Sequence, residues 1–355
     1  MKIKFPIFLP DATMGVVRGL DFNDLKKSGI EGVVVNTYHL MTQPGIEVIS
    51  RAGGLKKMMK WDGLIVSDSG GFQVLSLIHR HSSFGRVKDE GVIFYKGSRK
   101  RHKSFCLTPE KSIEVQFALG ADILICLDDC PKKGASLKEI KENVKRTIEW
   151  AKRSKEQFLK ELKKRKIVSK RRPLLFAVVQ GGNSKKLRKY CAENLIKIGF
   201  DGYCFGGWPI DERGRVDLKT LRYTAHLLPN DKPKFALGIG DLKTIKECFK
   251  MGYNIFDCVL PTRDARHGRL YFLPGGKNKY LYITKKIYEK DFRPIDKNCD
   301  CLTCKNYCRA YLHHLFKIKD FLAGRLATIH NLRVYVRLIE LLRKNDKIKN
   351  KAAMV

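Results

Sequence analysis

Acidic residues are scarce: 36 Asp and Glu stand against 71 Lys and Arg, a formal net charge of +35 over 355 residues. An excess of that size points to a polyanionic partner, because Lys and Arg displace the counterions condensed on phosphate backbones. Part of it reflects a lysine-rich composition, since many cations sit in helical stretches such as 138–172. Long apolar runs are also missing. None approaches the roughly 18 residues that a bilayer-spanning helix needs, so no membrane partner is expected. The opening MKIKFPIFLP is basic and then apolar, but the run is short and Asp11 ends it. It does not read as a secretory signal, and a cytosolic location is expected. In that setting the eleven Cys read as reduced thiols or metal ligands rather than disulfides.

What is present is alternation. Short apolar runs at 5–10, 32–36, 64–68, 122–128, 174–180, 201–206, 234–238 and 253–257 read as eight strands. Most are continuous, as parallel strands covered on both faces should be. Helical periodicity fills the gaps at 108–119, 136–163, 185–197, 218–228 and 242–250. Eight repeats over about 250 residues point to a (β/α)8 TIM barrel, with a doubly wound open sheet as the alternative. The strand ends favour the barrel. Asn36, Asp68, Asp128 with Asp129, Gln180, Gly206 with Gly207, and Asp257 all close their strands. In a barrel those ends share one rim, where such enzymes carry their chemistry. A rim insertion is expected at about 82–105. It holds a small hairpin and the cations Arg99, Lys100, Arg101, His102 and Lys103.

Three rim motifs suit a planar heterocycle. SDSGGFQ (67–73) offers two glycines, the flat face of Phe72 and the Asp68 carboxylate. Gln180-Gly181-Gly182 adds an amide that both donates and accepts, and Gly206-Gly207-Trp208 repeats the theme. In NIFDCVLPTRDARHGR (254–269), Asp257 precedes a basic loop with Arg263, Arg266, His267 and Arg269. Two carboxylates, Asp68 and Asp257, suit cleavage of an N-glycosidic bond. One attacks the anomeric carbon and the other handles the proton on the base, while the cations hold the phosphates.

Cys299-x-Cys301-x2-Cys304, with His330 on a later helix, reads as a closed Cys3His zinc site of structural type. Cys308, His313 and His314 remain open as alternative fourth ligands. We expect a barrel at 1–296, a zinc subdomain at 297–331, a barrel-packing helix at 332–345 that shows Arg333, Arg337 and Arg343, and a disordered tail at 346–355.

SDSGGFQ, NTYHL (36–40), VVQGG (178–182), FDCVLPTR (256–263), YLHHLF (311–316), TIHNLR (328–333) and the Cys/His set together resemble bacterial queuine tRNA-ribosyltransferases, the tRNA-guanine transglycosylases, over residues 5–342. The resemblance implies a zinc-bearing barrel, one Zn2+ per chain, acting as a homodimer. It would exchange guanine at the wobble position of GUN-anticodon tRNAs for a 7-deazaguanine base. Asp257 would be the nucleophile of a covalent tRNA intermediate and Asp68 the general acid/base. Asp68, Phe72, Asp128, Gln180, Gly207 and Leu237 would bind the base, Arg263 and Arg266 the tRNA. Cys299, Cys301, Cys304 and His330 would hold the zinc. Departures concern the base: GGWPIDE (206–212) replaces the usual GGLAVGE, and LDDC (127–130) places Asp129 where the family has Glu. Pre-queuosine-1 base and queuine both stay open as the inserted base. The same exchange on DNA or at another tRNA position, and a non-catalytic tRNA-binding subunit, are the alternatives.

Overall fold

The computed structural model describes residues 3–71, 78, 84–96, 103–168, 172–208, 210, 215–273 and 279–352, with backbone alone at Lys96, Lys103 and 346–352. Phe72 therefore lies outside the described residues, as do Arg99, Lys100, Arg101 and His102 of the expected basic cluster.

Eight parallel strands form the central sheet: β1 (Ile7–Pro10), β2 (Gly32–Asn36), β3 (Leu64–Asp68), β7 (Ile123–Ile125), β8 (Leu174–Val179), β9 (Gly202–Phe205), β10 (Lys234–Ala236) and β11 (Ile255–Cys258). They are hydrogen-bonded in chain order, and β11 returns to β1 with Leu9 opposite Asp257. The last seam, β1 to β2, is closed by a bridge between Asp11 and Val34 and by Ala12 N–H donating to Val34 O at 2.7 Å. The sheet is thus a barrel, and the open-sheet alternative falls away. Alternate residues fill its interior: Leu9, Val34, Val66, Ile123, Phe176, Cys204, Phe235 and Ile255 make one dry cluster. The outward set packs under the helices.

Helix starts follow local rules. Thr108, Ser136, Ser184, Asp217 and Asp241 each cap a barrel helix through the side chain, and Ser136 with Glu139 forms a full capping box. The strands are shorter than the apolar runs suggest. β7 stops at Ile125, so Asp128 stands three residues beyond its strand. Asp257 lies inside β11 rather than at its end.

The insertion is a three-stranded antiparallel sheet of β4 (Gly85–Val87), β5 (Val92–Lys96) and β6 (Lys103–Leu107). The helix Leu137–Lys164 grips its first turn. Trp150 Nε1 donates to Asp89 O at 2.7 Å, and Arg153 donates to the carbonyls of Asp89 and Glu90.

The C-terminal module also uses a hairpin, β12 (Arg269–Tyr271) with β13 (Tyr280–Tyr282). Its apolar cluster runs from Ala265 to Ala327, so it gathers residues well before 297. One continuous helix, Phe321–Ala352, replaces both the expected helix at 332–345 and the expected disordered tail through Ala352. After Gly324 its run contains neither Gly nor Pro, so nothing in the chain breaks it. Its arginines are paired rather than displayed: Arg333 with Asp300 and Glu340, Arg337 with Asp296, Arg343 with Glu31. No helix among the described residues is long and apolar enough to cross a membrane.

Candidate active site and metal centre

Asp68 closes β3 directly opposite Asn36, and Asn36 Nδ2 donates to its Oδ2 at 2.7 Å. Thr37 Oγ1 donates to Asp68 O at 2.6 Å, and Ser112 Oγ to Ser69 O at 3.0 Å. Asn36 and Thr37 of NTYHL therefore hold the start of the loop that carries SDSGGFQ, at Asp68. Gly71 is required there, because a Cβ would sit 2.4 Å from Asp128 Oδ1. The loop backbone thus lies against the Asp128 carboxylate. Gln180, fully buried just after β8, donates from Nε2 to Asp128 Oδ2 at 2.6 Å, and its Oε1 has no hydrogen-bond partner among the described residues. Leu237 packs at the edge of the barrel interior, and the next residue's amide, Gly238 N–H, donates to Asp257 Oδ1 at 2.8 Å.

Three carboxylates thus share one rim. Asp68 and Asp257 keep a face open to the rim while protein surrounds the rest, and Asp128 is buried. Burial pushes all three up, Asp68 to about 6 and Asp128 and Asp257 to about 7. The charge of Asp68 raises both neighbours further, and hydrogen bonds from Asn36, Gln180 and Gly238 pull the other way. Groups poised near neutrality suit nucleophile and acid/base work. Asp129 is different: it is buried, and Asn143 and Arg146 hold it, with Arg146 reaching on to the exposed Asp89 of the insertion.

Beyond β11 the short helix Leu260–Arg266 carries Arg263 and Arg266. Half the Arg263 side chain is exposed. Burial, together with the like charges of Arg18 and Arg263, holds Arg266 below its usual value, and its Nη1 has no partner among the described residues. Crowded cations with an idle donor suit an anion. Sequence reasoning missed Arg18, which sits far away in the chain and gains meaning only when β1 closes on β11.

Cys299, Cys301, Cys304 and His330 place one donor atom each within 4.8 Å of all the others. Tetrahedral zinc with sulfur ligands at ~2.3 Å needs donors about 4 Å apart, so the set fits. His330 Nε2 donates to Tyr271 O at 2.9 Å, which turns Nδ1 toward the sulfurs, 3.3 Å from Cys304 Sγ. Neither Cys308, His313 nor His314 falls within that group; Cys308 Sγ accepts from Tyr311 N–H, and His313 Nδ1 donates to Ile283 O. Beside the set, Asn331 Nδ2 donates to Pro261 O and Arg269 O, while Oδ1 accepts from Tyr271 N–H. These bonds grip both ends of the basic segment.

A family model described as queuine tRNA-ribosyltransferase matches residues 1–352. Among curated relatives, the queuine tRNA-ribosyltransferase of Caldanaerobacter subterraneus subsp. tengcongensis is 42% identical over 342 residues, covering 96% of this chain and 86% of its own. That of Pseudoalteromonas translucida is 40% identical over 341 residues, with the same coverage. The chain belongs to the queuine tRNA-ribosyltransferase family, a family of pentosyltransferases.

Proposed function

We propose that this protein is a tRNA-guanine transglycosylase that exchanges guanine 34 in GUN-anticodon tRNAs for a 7-deazaguanine base, pre-queuosine-1 base or queuine. The observation that carries this reading is the trio of rim carboxylates beside the Arg18, Arg263 and Arg266 cluster.

Asp257 attacks C1′ of nucleotide 34, the C1′–N9 bond breaks, and its electron pair leaves with guanine. Asp68 supplies a proton to the departing base and takes one from the incoming base. That base then attacks C1′ and displaces the Asp257 carboxylate. Two displacements at one carbon retain its configuration. Asp128 faces the N–H donors of the base, and Gln180 and the Gly207 amide complete its edge. By the family resemblance Phe72 would stack on the base, and Leu237 lines the site. Arg263 and Arg266 hold the flanking phosphates.

The Cys3His set holds a structural Zn2+. With four protein donors it leaves no open position for substrate. Its module exposes Phe321, Phe292 and Ile287 at 98%, 79% and 73%, and these support burial in a homodimer. A tRNA-modifying enzyme of this kind works in the cytoplasm.

The test uses labelled guanine and purified tRNAs. Label should enter GUN-anticodon tRNA, and pre-queuosine-1 base or queuine should displace it. Denaturing the mixture should leave tRNA bound to protein. Label entering DNA, or a tRNA position other than 34, would sink this reading. Tight tRNA binding without exchange would point to an accessory subunit.

A further inference from the structure

Arg188 lies on the helix Lys185–Ile198 and is 2% exposed. Among the described residues no carboxylate pairs with it. Its partners are carbonyls: Nε donates to Gly182 O at 2.7 Å, Nη1 to Val179 O at 3.2 Å and Nη2 to Gly206 O at 3.0 Å. The guanidinium also lies 4.5 Å from the centre of the Phe205 ring. Burial pulls its pKa down to about 10. A buried cation is a costly way to fasten a helix to a barrel, and an apolar side chain would do that more cheaply. What distinguishes Arg188 is where its fork lands, on both loops that line the base site, at 179–182 and at 206.

One of those bonds has a directional consequence. The peptide between Gly206 and Gly207 is trans, so its carbonyl and its N–H point opposite ways. Arg188 draws the Gly206 oxygen to the helix side. The Gly207 N–H is thereby turned the other way, and it has no acceptor among the described residues. Gly207 holds φ +104°, and a Cβ there would lie 3.2 Å from Arg188 Nη2 and 3.5 Å from Gln180 Oε1. The strained φ and this close approach both favour glycine at that position. A cation bonded to the carbonyl also polarises the amide and strengthens its N–H as a donor.

We propose that Arg188 is a positioning residue that aims the Gly207 amide at the carbonyl oxygen of the bound base. This rests on the base-exchange reading. As guanine departs, negative charge spreads onto that oxygen, so a preset donor acts more strongly in the transition state than in the ground state.

Calorimetric titration of the full chain with guanine and with 6-thioguanine tests it. The two bases share their N–H donors, while the sulfur of 6-thioguanine is a weaker and larger acceptor, so the readout is the change in preference between wild type and variant. Wild-type protein should prefer guanine by about tenfold, the worth of one good hydrogen bond. In Arg188→Met guanine affinity should fall about tenfold while 6-thioguanine changes little, so the preference disappears. Arg188→Lys, with charge but no fork, should fall between, and it decides the matter if Arg188→Met does not fold. Equal losses for both bases, or an unchanged preference, would overturn the proposal and leave base exchange standing. Wild-type protein that binds neither base would overturn both.

Discussion

The barrel rim and the Cys3His module solve opposite problems. At the rim, Asp68, Asp128 and Asp257 are gathered where each raises the cost of charging another or is raised by burial. The rest of the barrel has to hold that arrangement against its own electrostatics. In the module the core is thin, with helices as short as Leu302–Asn306, and four side chains that could hold a metal ion lie within reach of one another. Removing a rim carboxylate should therefore cost function and relieve the fold. Removing a zinc ligand should cost the fold first.

The sharpest break of that contrast is Asp257→Asn. It removes the proposed nucleophile, so exchange should fall on the order of 10^3-fold or more and a denaturation-resistant tRNA adduct should be absent. At pH 8 its melting temperature should not drop. Exchange of labelled guanine with a parallel melt reads both. Retained adduct would reassign the nucleophile, and a large loss of stability would erase the contrast.

On the other side, Cys304→Ala or prolonged chelation should release one zinc per chain. The melting temperature should fall by roughly 5–10 °C, a destabilisation of several kcal/mol. Metal analysis and scanning calorimetry check this. A melt that metal loss leaves unchanged would mean that the module's apolar cluster suffices alone.

The two regions meet at His330 and Asn331. His330 faces the sulfurs while Asn331 holds Pro261 O and Arg269 O around the arginine segment. Asn331→Ala leaves buried carbonyls unpaired, at about 1–3 kcal/mol each. It should raise the KM for tRNA about tenfold while zinc content stays at one per chain. Loss of metal together with tRNA affinity would show one structural unit rather than two coupled ones.

Much of this was legible in the sequence, for a physical reason. Strand count, capping residues and the Cys spacing are local, and each has its own signature within a few residues. That Asp68 and Asp257 would come to one rim was legible because a barrel aligns its strands, although Asp257 lies within β11 rather than at its end. Arg188 was not, since inside the helical run 185–197 it looks like any solvated cation until the barrel closes over it. Arg18 stayed hidden for the same reason. The paired state of Arg333, Arg337 and Arg343 depends on Asp300, Asp296, Glu340 and Glu31, and most of those partners lie far off in the chain. The excess of cations therefore overstated how many face a nucleic acid.

The subtlest separation of rim from module is by pH. Asp128 has a folded pKa of about 7, above the ~3.9 of an unfolded Asp. Between those values the folded chain holds a proton that the unfolded chain has released. Stability from this group is thus full below about pH 4 and is lost as pH rises through about 7. Three pKa units correspond to about 4 kcal/mol at most, and coupling to Asp68 and the Gln180 bond reduce what is realised. Asp128→Asn keeps an oxygen for Gln180 and removes the charge. It should therefore stabilise the protein by about 1–2 kcal/mol at pH 8 and by nothing near pH 4. Base affinity in the wild type should move the other way. A carboxylate accepting N–H donors binds best when ionised, so affinity should fall as pH drops below about 7. Urea melts of both proteins at the two pH values, with base titrations alongside, measure the pair. A variant equally stable at both pH values would mean that Asp128 is already ionised without strain, and the rim would then be no more burdened than the module.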